Sequence, residues 1–388
     1  MSISMDEIVI AGIGQIPVGE HWELSLRSIA ARAMLAAIKD CGIKPQAIYI
    51  GNYLASVASG QANLGALLAE TIHMEGVEAF TAEAAEASGA AALNLAVQAL
   101  KSGYVDSALV VGVEKYTDMV GSQMENIIAM SNDTDFESMQ GMNLASSAAL
   151  VMQRYLFDYQ PPRDAFGTFS IIAHANAVHN PNALYRRAIH LEDYQKAGLV
   201  CDPLNLLDAA PFADGAAAVL LTRRELLPEG FSHTQVKVSA SSLVTDMLAL
   251  HDRTDPLAFD AARISAERAF AQAGIPRERV DLFEYWDAFS IYAVMCLETA
   301  GYAERGAGWK LGGDGSLELH GRLPVATMGG LKARGFPLGA AGIYQVVDAI
   351  TQLRGAAGEN QIQGARCALV QSLGGPAATA VTHILQTL

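Results

Sequence analysis

Thr81-Ala-Glu-Ala-Ala-Glu-Ala-Ser-Gly-Ala-Ala-Ala-Leu93 is the stretch around which the rest of the 388-residue chain can be placed. Small residues crowd positions 85–89, and an apolar run continues through Leu93, Leu95, Val97 and Leu100. A run that is apolar on every side reads as a helix buried in the middle of a large core. Glu86 and Ser88 are expected in its first turn, where free backbone N–H groups and the helix dipole favour negative charge. Taken alone, the stretch is a tightly packed helix start with an acid near its N-terminus.

Composition narrows the classes. Apolar residues make up 51% of the chain and charged ones 17%, which implies a large buried core in two domains or one large doubled domain. A formal charge of −15 argues against nucleic acid or an anionic membrane as partner, and a polyanionic ligand such as coenzyme A needs a local basic patch. No segment approaches the roughly 18–20 apolar residues of a membrane span. Met1-Ser-Ile-Ser-Met-Asp6 lacks the basic-then-apolar pattern of a signal peptide, so a cytoplasmic protein is expected. Cys41, Cys201, Cys296 and Cys367 lie far apart without CxxC or Cys/His ligand spacing, which suits reduced thiols with neither a disulfide framework nor a metal site.

In chain order, Glu7–Gly12 reads as a buried first strand. Gly12-Ile-Gly14 has no correctly spaced third glycine, and Pro17 with Gly19 point to an irregular loop, so a dinucleotide site is rejected. A helix over 25–40 ends before Gly42, strands follow at 48–54 and 107–113, and another helix spans 64–72. The second half repeats this grammar: helix 257–273, Gly274-Ile-Pro276, strand 281–285, a helix at about 338–353, and strands at 367–371 and 380–385. Alternating strands and helices twice over imply two α/β halves with helix-covered sheets. Residues 117–205 break the rhythm with Met, Asn, Pro161-Pro162 and an acidic cluster at 133–137, as a lid or binding excursion would. The expected division is 1–116 with 206–235 as one half, 117–205 as the insertion, and 236–388 as the other half. His174 and His179, at i and i+5, do not share a helix face well enough for a metal pair, and Asp214 reads as a turn former.

Glu83-Ala-Ala-Glu-Ala-Ser-Gly89 resembles the nucleophile segment of the thiolase superfamily, E-A-A-C-A-S-G, with Glu86 where the acyl-accepting cysteine stands. The resemblance runs through nearly the whole chain. His174-Ala-Asn-Ala177, Asn180-Pro181 and Asp214-Gly-Ala-Ala217 match motifs of the branch shared by archaeal and sterol-carrier-protein-type thiolases. The family's H-D-A-F is here Trp286-Asp-Ala-Phe289, and its N-P-S-G-G-L-K-A-x-G-H-P-x-G is Ala326-Thr-Met328-Gly-Gly330-Leu-Lys332-Ala-Arg-Gly-Phe336-Pro-Leu-Gly339. The final glycine-rich loop reads Ser372-Leu-Gly374-Gly-Pro376. The resemblance implies a duplicated thiolase fold, two βαβαβαββ halves in α-β-α-β-α layers with an inserted loop domain, and a homodimer.

It also implies that nucleophile, activating histidine and oxyanion histidine are all exchanged while the backbone glycines remain. A carboxylate cannot hold a stable acyl-thioester. The chain is therefore either a non-catalytic relative or an enzyme whose reaction needs no acyl-enzyme. Tyr292 and Tyr344 follow the two exchanged histidine positions on helices that start at the site, and phenols can serve as acid or base. The set resembles that of the steroid side-chain-cleaving aldolases of the superfamily, which release propionyl-CoA and work with a small partner carrying an OB-fold and a zinc ribbon. On that resemblance Tyr344, Tyr292 and Glu86 are the catalytic candidates, with Glu86 either a base or a filler of the thiolate's place. Trp286, Phe336, Ser88, Met328, Gly330, Ser372 and Gly374 are the substrate-binding candidates, and Arg186, Arg187 and Lys332 the candidate phosphate contacts. The substrate is a CoA thioester with no further cofactor. The alternatives are a scaffold subunit plugged by Trp286, Phe336 and Met328, and a cysteine-independent decarboxylase or acyltransferase.

Overall fold

The structure, a computed structural model, describes residues 7–388. The terminal segment read above for a targeting signal lies outside the described residues. The first half runs β1 (Ile8–Gln15), α1 (Leu26–Cys41), β2 (Ala47–Gly51), α2 (Ala55–Ala58), α3 (Leu64–Thr71), β3 (Glu78–Ala82), α4 (Ser88–Lys101) and β4 (Ser107–Glu114). The excursion holds α5 (Ser122–Ile128), α6 (Leu144–Tyr159), α7 (Gly167–Ala177), α8 (Leu191–Lys196) and a small hairpin of β5 (Leu199–Cys201) with β6 (Leu204–Asn205). After it come β7 (Gly215–Arg223), β8 (Val236–Thr245), α9 (Asp260–Ala273), β9 (Leu282–Glu284), α10 (Ser290–Thr299), α11 (Gly330–Arg334), α12 (Ala341–Leu353), β10 (Cys367–Gly374) and β11 (Thr379–Thr387).

The larger strands form one mixed sheet of nine in the order β3-β2-β4-β7-β1-β8-β11-β10-β9. Its seam is the short antiparallel pairing of β1 with β8, Val9 opposite Lys237 and Ile10 opposite Val236. Outward from the seam both sides repeat one pattern: an antiparallel neighbour, a further antiparallel strand, then a parallel one. The fifth strand of the second side shrinks to a single bridge between Phe283 and Val325. That symmetry is the duplication the sequence grammar implies.

Alternation along the strands sorts residues into layers. Ile48, Ile50, Leu109, Val111, Ala218 and Leu220 pack under α1 and α3, whereas Ala47, Tyr49, Ala108, Val110, Ala217 and Val219 pack against α4 and α12. Val236, Val238, Ala368 and Val370 of the second half meet the same two helices from the other side. Helices α4 and α12 therefore fill the middle between two half-sheets, and α9 covers the far face of the second.

Several boundaries differ from expectation. Gly12 and Gly14 lie inside β1 rather than in a loop, because α1 crosses there in near-contact. A Cβ on Gly12 would lie 2.1 Å from the Ala37 carbonyl oxygen, and one on Gly14 would lie 2.2 Å from that of Ala33. Strands β3 and β8 were not foreseen: β3 is a largely exposed edge strand, and β8 alternates buried with part-exposed positions among many serines. Leu95 faces outward from α4 and is 37% exposed, so α4 is not apolar-buried all round. Because α1 is a rigid backbone wall, Gly14→Val should overpack the contact between β1 and α1 and lower stability by roughly 1–3 kcal/mol. Thermal unfolding followed by circular dichroism checks this, with Gly42→Ala, at a site with open space but a left-handed φ of 71°, as a milder comparison.

Candidate active site

Helix α4 begins at Ser88, not at Glu86. Ala85 adopts a left-handed φ of 49°, a conformation strained for a residue with a Cβ. The Ser88 hydroxyl closes that turn on itself, donating to the Ala85 carbonyl at 2.5 Å and accepting from Ala84 N–H at 2.9 Å. Glu86 is thereby turned off the helix axis, away from the first-turn N–H groups. Its Oε2 instead accepts from Gly375 N–H at 2.6 Å, in the loop after β10 of the other half. Its Oε1 is buried without a hydrogen-bond partner among the described residues. Burial pushes the Glu86 carboxyl up to about 7, against the opposing pull of Gly375 N–H.

Tyr292, early in α10, is packed edge-on between Phe259 (5.4 Å) and Phe289 (5.5 Å). Its hydroxyl is also buried without a hydrogen-bond partner among the described residues. Burial raises its pKa above the usual phenol value; the Arg253 charge opposes this and the Glu86 charge adds to it. Glu86 and Tyr292 are thus within electrostatic reach of each other, each with one unsatisfied polar atom. Tyr53 and Tyr116 feel the Glu86 charge too, but their hydroxyls are committed, Tyr53 to the carbonyls of Ile127 and Ile128 and Tyr116 to that of Phe336.

Tyr344 is not part of this group. Its hydroxyl donates to the Ile16 carbonyl at 2.8 Å and accepts from Ala216 N–H at 2.9 Å, and its ring lies 5.1 Å under the Arg334 guanidinium. On α12 the residue at this turn points at β1 and β7, so the phenol ties helix to sheet. Ser372, expected to bind substrate, donates its buried hydroxyl to the Gln345 amide oxygen at 2.7 Å. Gly330 is required by packing: a Cβ there would meet an Asp287 carboxylate oxygen at 2.3 Å, and that carboxylate accepts from Leu331 N–H at 2.7 Å to start α11. Met328 is held by Asn180, which donates to its carbonyl, and by Asn360 beside its sulfur. Gly374 passes so close to Ala84 that a Cβ would lie 2.3 Å from its carbonyl oxygen. Trp286 and Phe336 do come together: their rings meet edge-on at 5.5 Å, and Phe336 stacks on Phe212 at 6.3 Å. All three sit in one apolar block.

Two cavities flank these elements. A cleft of about 620 Å³ is bounded by Tyr53, Phe80, Ala84, Ala85, Leu95, Met130, Leu248, Gly374 and Gly375, and so reaches the two backbone segments that bracket Glu86. A smaller pocket of about 330 Å³ is lined by His174, Tyr185, Arg187, Leu206, Ala210, Pro211 and Lys332. Of the candidate phosphate contacts, Arg187 is exposed on that pocket, whereas Arg186 does not line it. Lys332 is buried, donates to the carbonyls of Asp208 (2.6 Å) and Leu207 (3.3 Å), and is pushed by burial down to about 8. Asp214 is fully engaged by Tyr116 N–H, the Thr117 hydroxyl and the Lys115 ammonium. No group of three or more metal-ligating side chains occurs among the described residues. The reading of the sequence missed Gly375, Arg253 and Tyr53. Gly375 had a signal, standing beside Gly374 in a loop already singled out; the others had none.

Because Glu86 ionises near 7 when folded and near the ordinary carboxyl value when unfolded, folding takes up a proton between those values. The stability that its neutral form provides is fully present below about pH 4 and is lost as pH rises through 7. Glu86→Gln, a neutral isostere, should therefore leave the melting temperature almost unchanged at pH 4 and raise it at pH 8. The gain there should be on the order of 3 kcal/mol. Calorimetry across this range checks the sign.

Comparison with known proteins is consistent along the chain. Residues 8–225 match the thiolase N-terminal domain and 242–387 the thiolase C-terminal domain-like family. The acetyl-CoA acetyltransferase of Methanothermobacter thermautotrophicus is 37% identical over 98% of this chain and 99% of its own. The benzoylsuccinyl-CoA thiolase subunit BbsB of Thauera aromatica is 27% identical over 90% of this chain and 89% of its own. Among solved structures, the Ltp2-ChsH2(DUF35) aldolase superposes with a TM-score of 0.85 at 22% identity, covering 98% of both chains. The protein belongs to the thiolase superfamily.

Proposed function

We propose that this chain is a thiolase-superfamily aldolase that cleaves a bulky β-hydroxyacyl-CoA by a retro-aldol reaction, without an acyl-enzyme, using Glu86 and Tyr292. The observation that carries the reading is a pair of buried polar atoms without a hydrogen-bond partner among the described residues, Glu86 Oε1 and Tyr292 Oη, within electrostatic reach of one another, the first at the motif position of the family's nucleophile. Ionised Glu86 takes the proton of the β-hydroxyl. The O–H electron pair becomes the new carbonyl, the Cα–Cβ bond breaks, and its pair passes to the thioester as an enolate. Tyr292, neutral at physiological pH because burial raises it, donates the proton that the enolate carbon needs. The proton held on Glu86 then returns to the Tyr292 phenolate, and the atoms balance as one hydroxyacyl-CoA giving a ketone and a shorter acyl-CoA.

Acyl transfer, the activity named for the archaeal relatives, needs a thiolate. Cys296 and Cys367 are pushed by burial up to about 12 and Cys41 is also raised, so these thiols stay protonated. Glu86 takes the cysteine's motif position in place of a nucleophile. The Arg187 pocket suits the CoA arm, and the apolar cleft beside Ala85 and Gly374 suits a large hydrocarbon, a steroid side-chain thioester releasing propionyl-CoA being the substrate that the aldolase likeness suggests. A small OB-fold/zinc-ribbon partner is proposed on the same likeness, and a homodimer through the free edge of β3, where Phe80 is exposed. The block of buried Trp286 and Phe336 with part-buried Phe212 favours one second reading, a scaffold subunit whose site is plugged.

The test is mass spectrometry of products from tertiary β-hydroxyacyl-CoAs carrying ring substituents, with the partner protein present. Formation of ketone plus short acyl-CoA is expected, rising with pH through about 7 as Glu86 ionises. Tyr292→Phe should lower kcat by about 10²–10⁴-fold. Tyr344→Phe, which leaves Ala216 N–H and the Ile16 carbonyl unpaired, should lower the melting temperature with a much smaller effect on kcat. Turnover indifferent to Tyr292 would remove that residue from the chemistry, and no turnover with any substrate would favour the scaffold reading instead.

A further inference from the structure

The loop that holds Glu86 is itself held by a buried cation that no motif singles out. Arg253 is 8% exposed and lies between β8 and α9. Its Nε donates to the Met247 carbonyl (3.0 Å), one terminal nitrogen to Pro376 (2.8 Å), and the other to Leu248 (3.5 Å). No carboxylate among the described residues forms an ion pair with it. The nearby Glu137 is buried too, but its oxygens accept from Leu250 N–H (2.7 Å) and Asp133 N–H (3.2 Å). Asp246 contributes only at longer range. A buried guanidinium whose hydrogen bonds all go to carbonyls, with carboxylates only at longer range, is an expensive arrangement, and it sits where its charge faces the Tyr292 hydroxyl.

We infer that Arg253 is a positioning residue of the site. By clamping the Pro376 carbonyl it fixes the Gly374–Pro376 loop so that Gly375 N–H points at Glu86, and its charge stands behind Tyr292 Oη to favour electron density there. The geometry supports the first role directly. Pro376 follows Gly375, which has a left-handed φ of 59° and approaches Ser131 so closely that a Cβ would lie 2.7 Å from its carbonyl oxygen. The loop therefore has one tight conformation, and one arm of the Arg253 fork ties its Pro376 carbonyl to the 247–248 segment that the other nitrogens hold. The aldolase reading gives this positioning its purpose, but the link from Arg253 to Glu86 is physical and can be measured without substrate.

The groups facing Glu86 are Gly375 N–H, Ser131, Glu83, Tyr53, Tyr116 and Tyr292; Arg253 reaches the first through the loop and Tyr292 through its charge, and Arg253→Lys keeps that charge. Infrared difference spectra against Glu86→Gln isolate the Glu86 carboxyl band, and its pH midpoint reports the Gly375 hydrogen bond. In Arg253→Gln the midpoint should rise by about one pH unit as that bond loosens. Arg253→Lys, which keeps the charge but not the fork, should move it in the same direction and carries the test should Gln not fold. A midpoint unchanged in both folded variants overturns the inference, as does failure of both to fold, which would make Arg253 purely structural. Absence of turnover in the wild type, by contrast, bears on the aldolase reading alone.

Discussion

The near-contact of α4 and α12 is the constraint on which the rest depends. A Cβ on Gly89 would lie 2.8 Å from the Gly339 carbonyl oxygen and one on Gly342 2.9 Å from Ala90 Cβ, while β4 closes in on the foot of α12, where one on Gly112 would lie 2.8 Å from Ala340 Cα. Helices this close have no room for side chains at their crossing, and both half-sheets close down on them. The starts of the two helices are then forced into one neighbourhood, together with the loops that precede them. Glu114 locks the arrangement. Its carboxylate accepts from the Asn52 side chain and from the backbone N–H groups of Leu54, Tyr53 and Gly339, joining β2, β4 and the turn before α12.

Glu114 and Glu86 are both buried carboxyls pushed up, to about 8 and about 7, and they make a useful contrast. Glu114 has donors on both oxygens and serves architecture. Glu86 has one donor and one empty oxygen, beside a tyrosine whose hydroxyl is likewise empty. A core that satisfies the first so fully and leaves the second pair unsatisfied retains it at a cost in stability, which is the usual mark of a group kept for chemistry. On the proposed reading, neutral Tyr292 and an acid poised near 7 supply the two proton transfers of a retro-aldol cleavage.

Much of the fold was legible because it is written in periodicity: the core-facing side of α4, the strands read at 107–113 and 367–371, and the Gly-Ile-Pro or Gly-Ile-Lys-Pro stops after matching helices. The polar edge strand β3 and serine-rich β8 carry no such signal, since one is exposed and the other half-covered. At the site, Glu86 could be found from its motif, but its direction could not, because the strained Ala85 turn and the Gly375 contact are tertiary facts. Tyr344 was misplaced for a related reason. Spacing puts it on the first turns of α12, and only the packing of that helix against β1 and β7 shows which side it faces. Ser372 and Gly330 likewise had binding-site chemistry in type but serve packing in place. Arg253 lies outside every motif, and its grip on Pro376 joins segments more than a hundred residues apart.

The measurement that tests the account most directly is exchange of α-protons. A short acyl-CoA incubated with the protein in deuterated water, followed by proton NMR, reports whether the site can form and reprotonate a thioester enolate. The account predicts deuterium at Cα with the thioester intact, and loss of that exchange in Tyr292→Phe. Exchange no faster than in buffer, with the partner protein present, would contradict it.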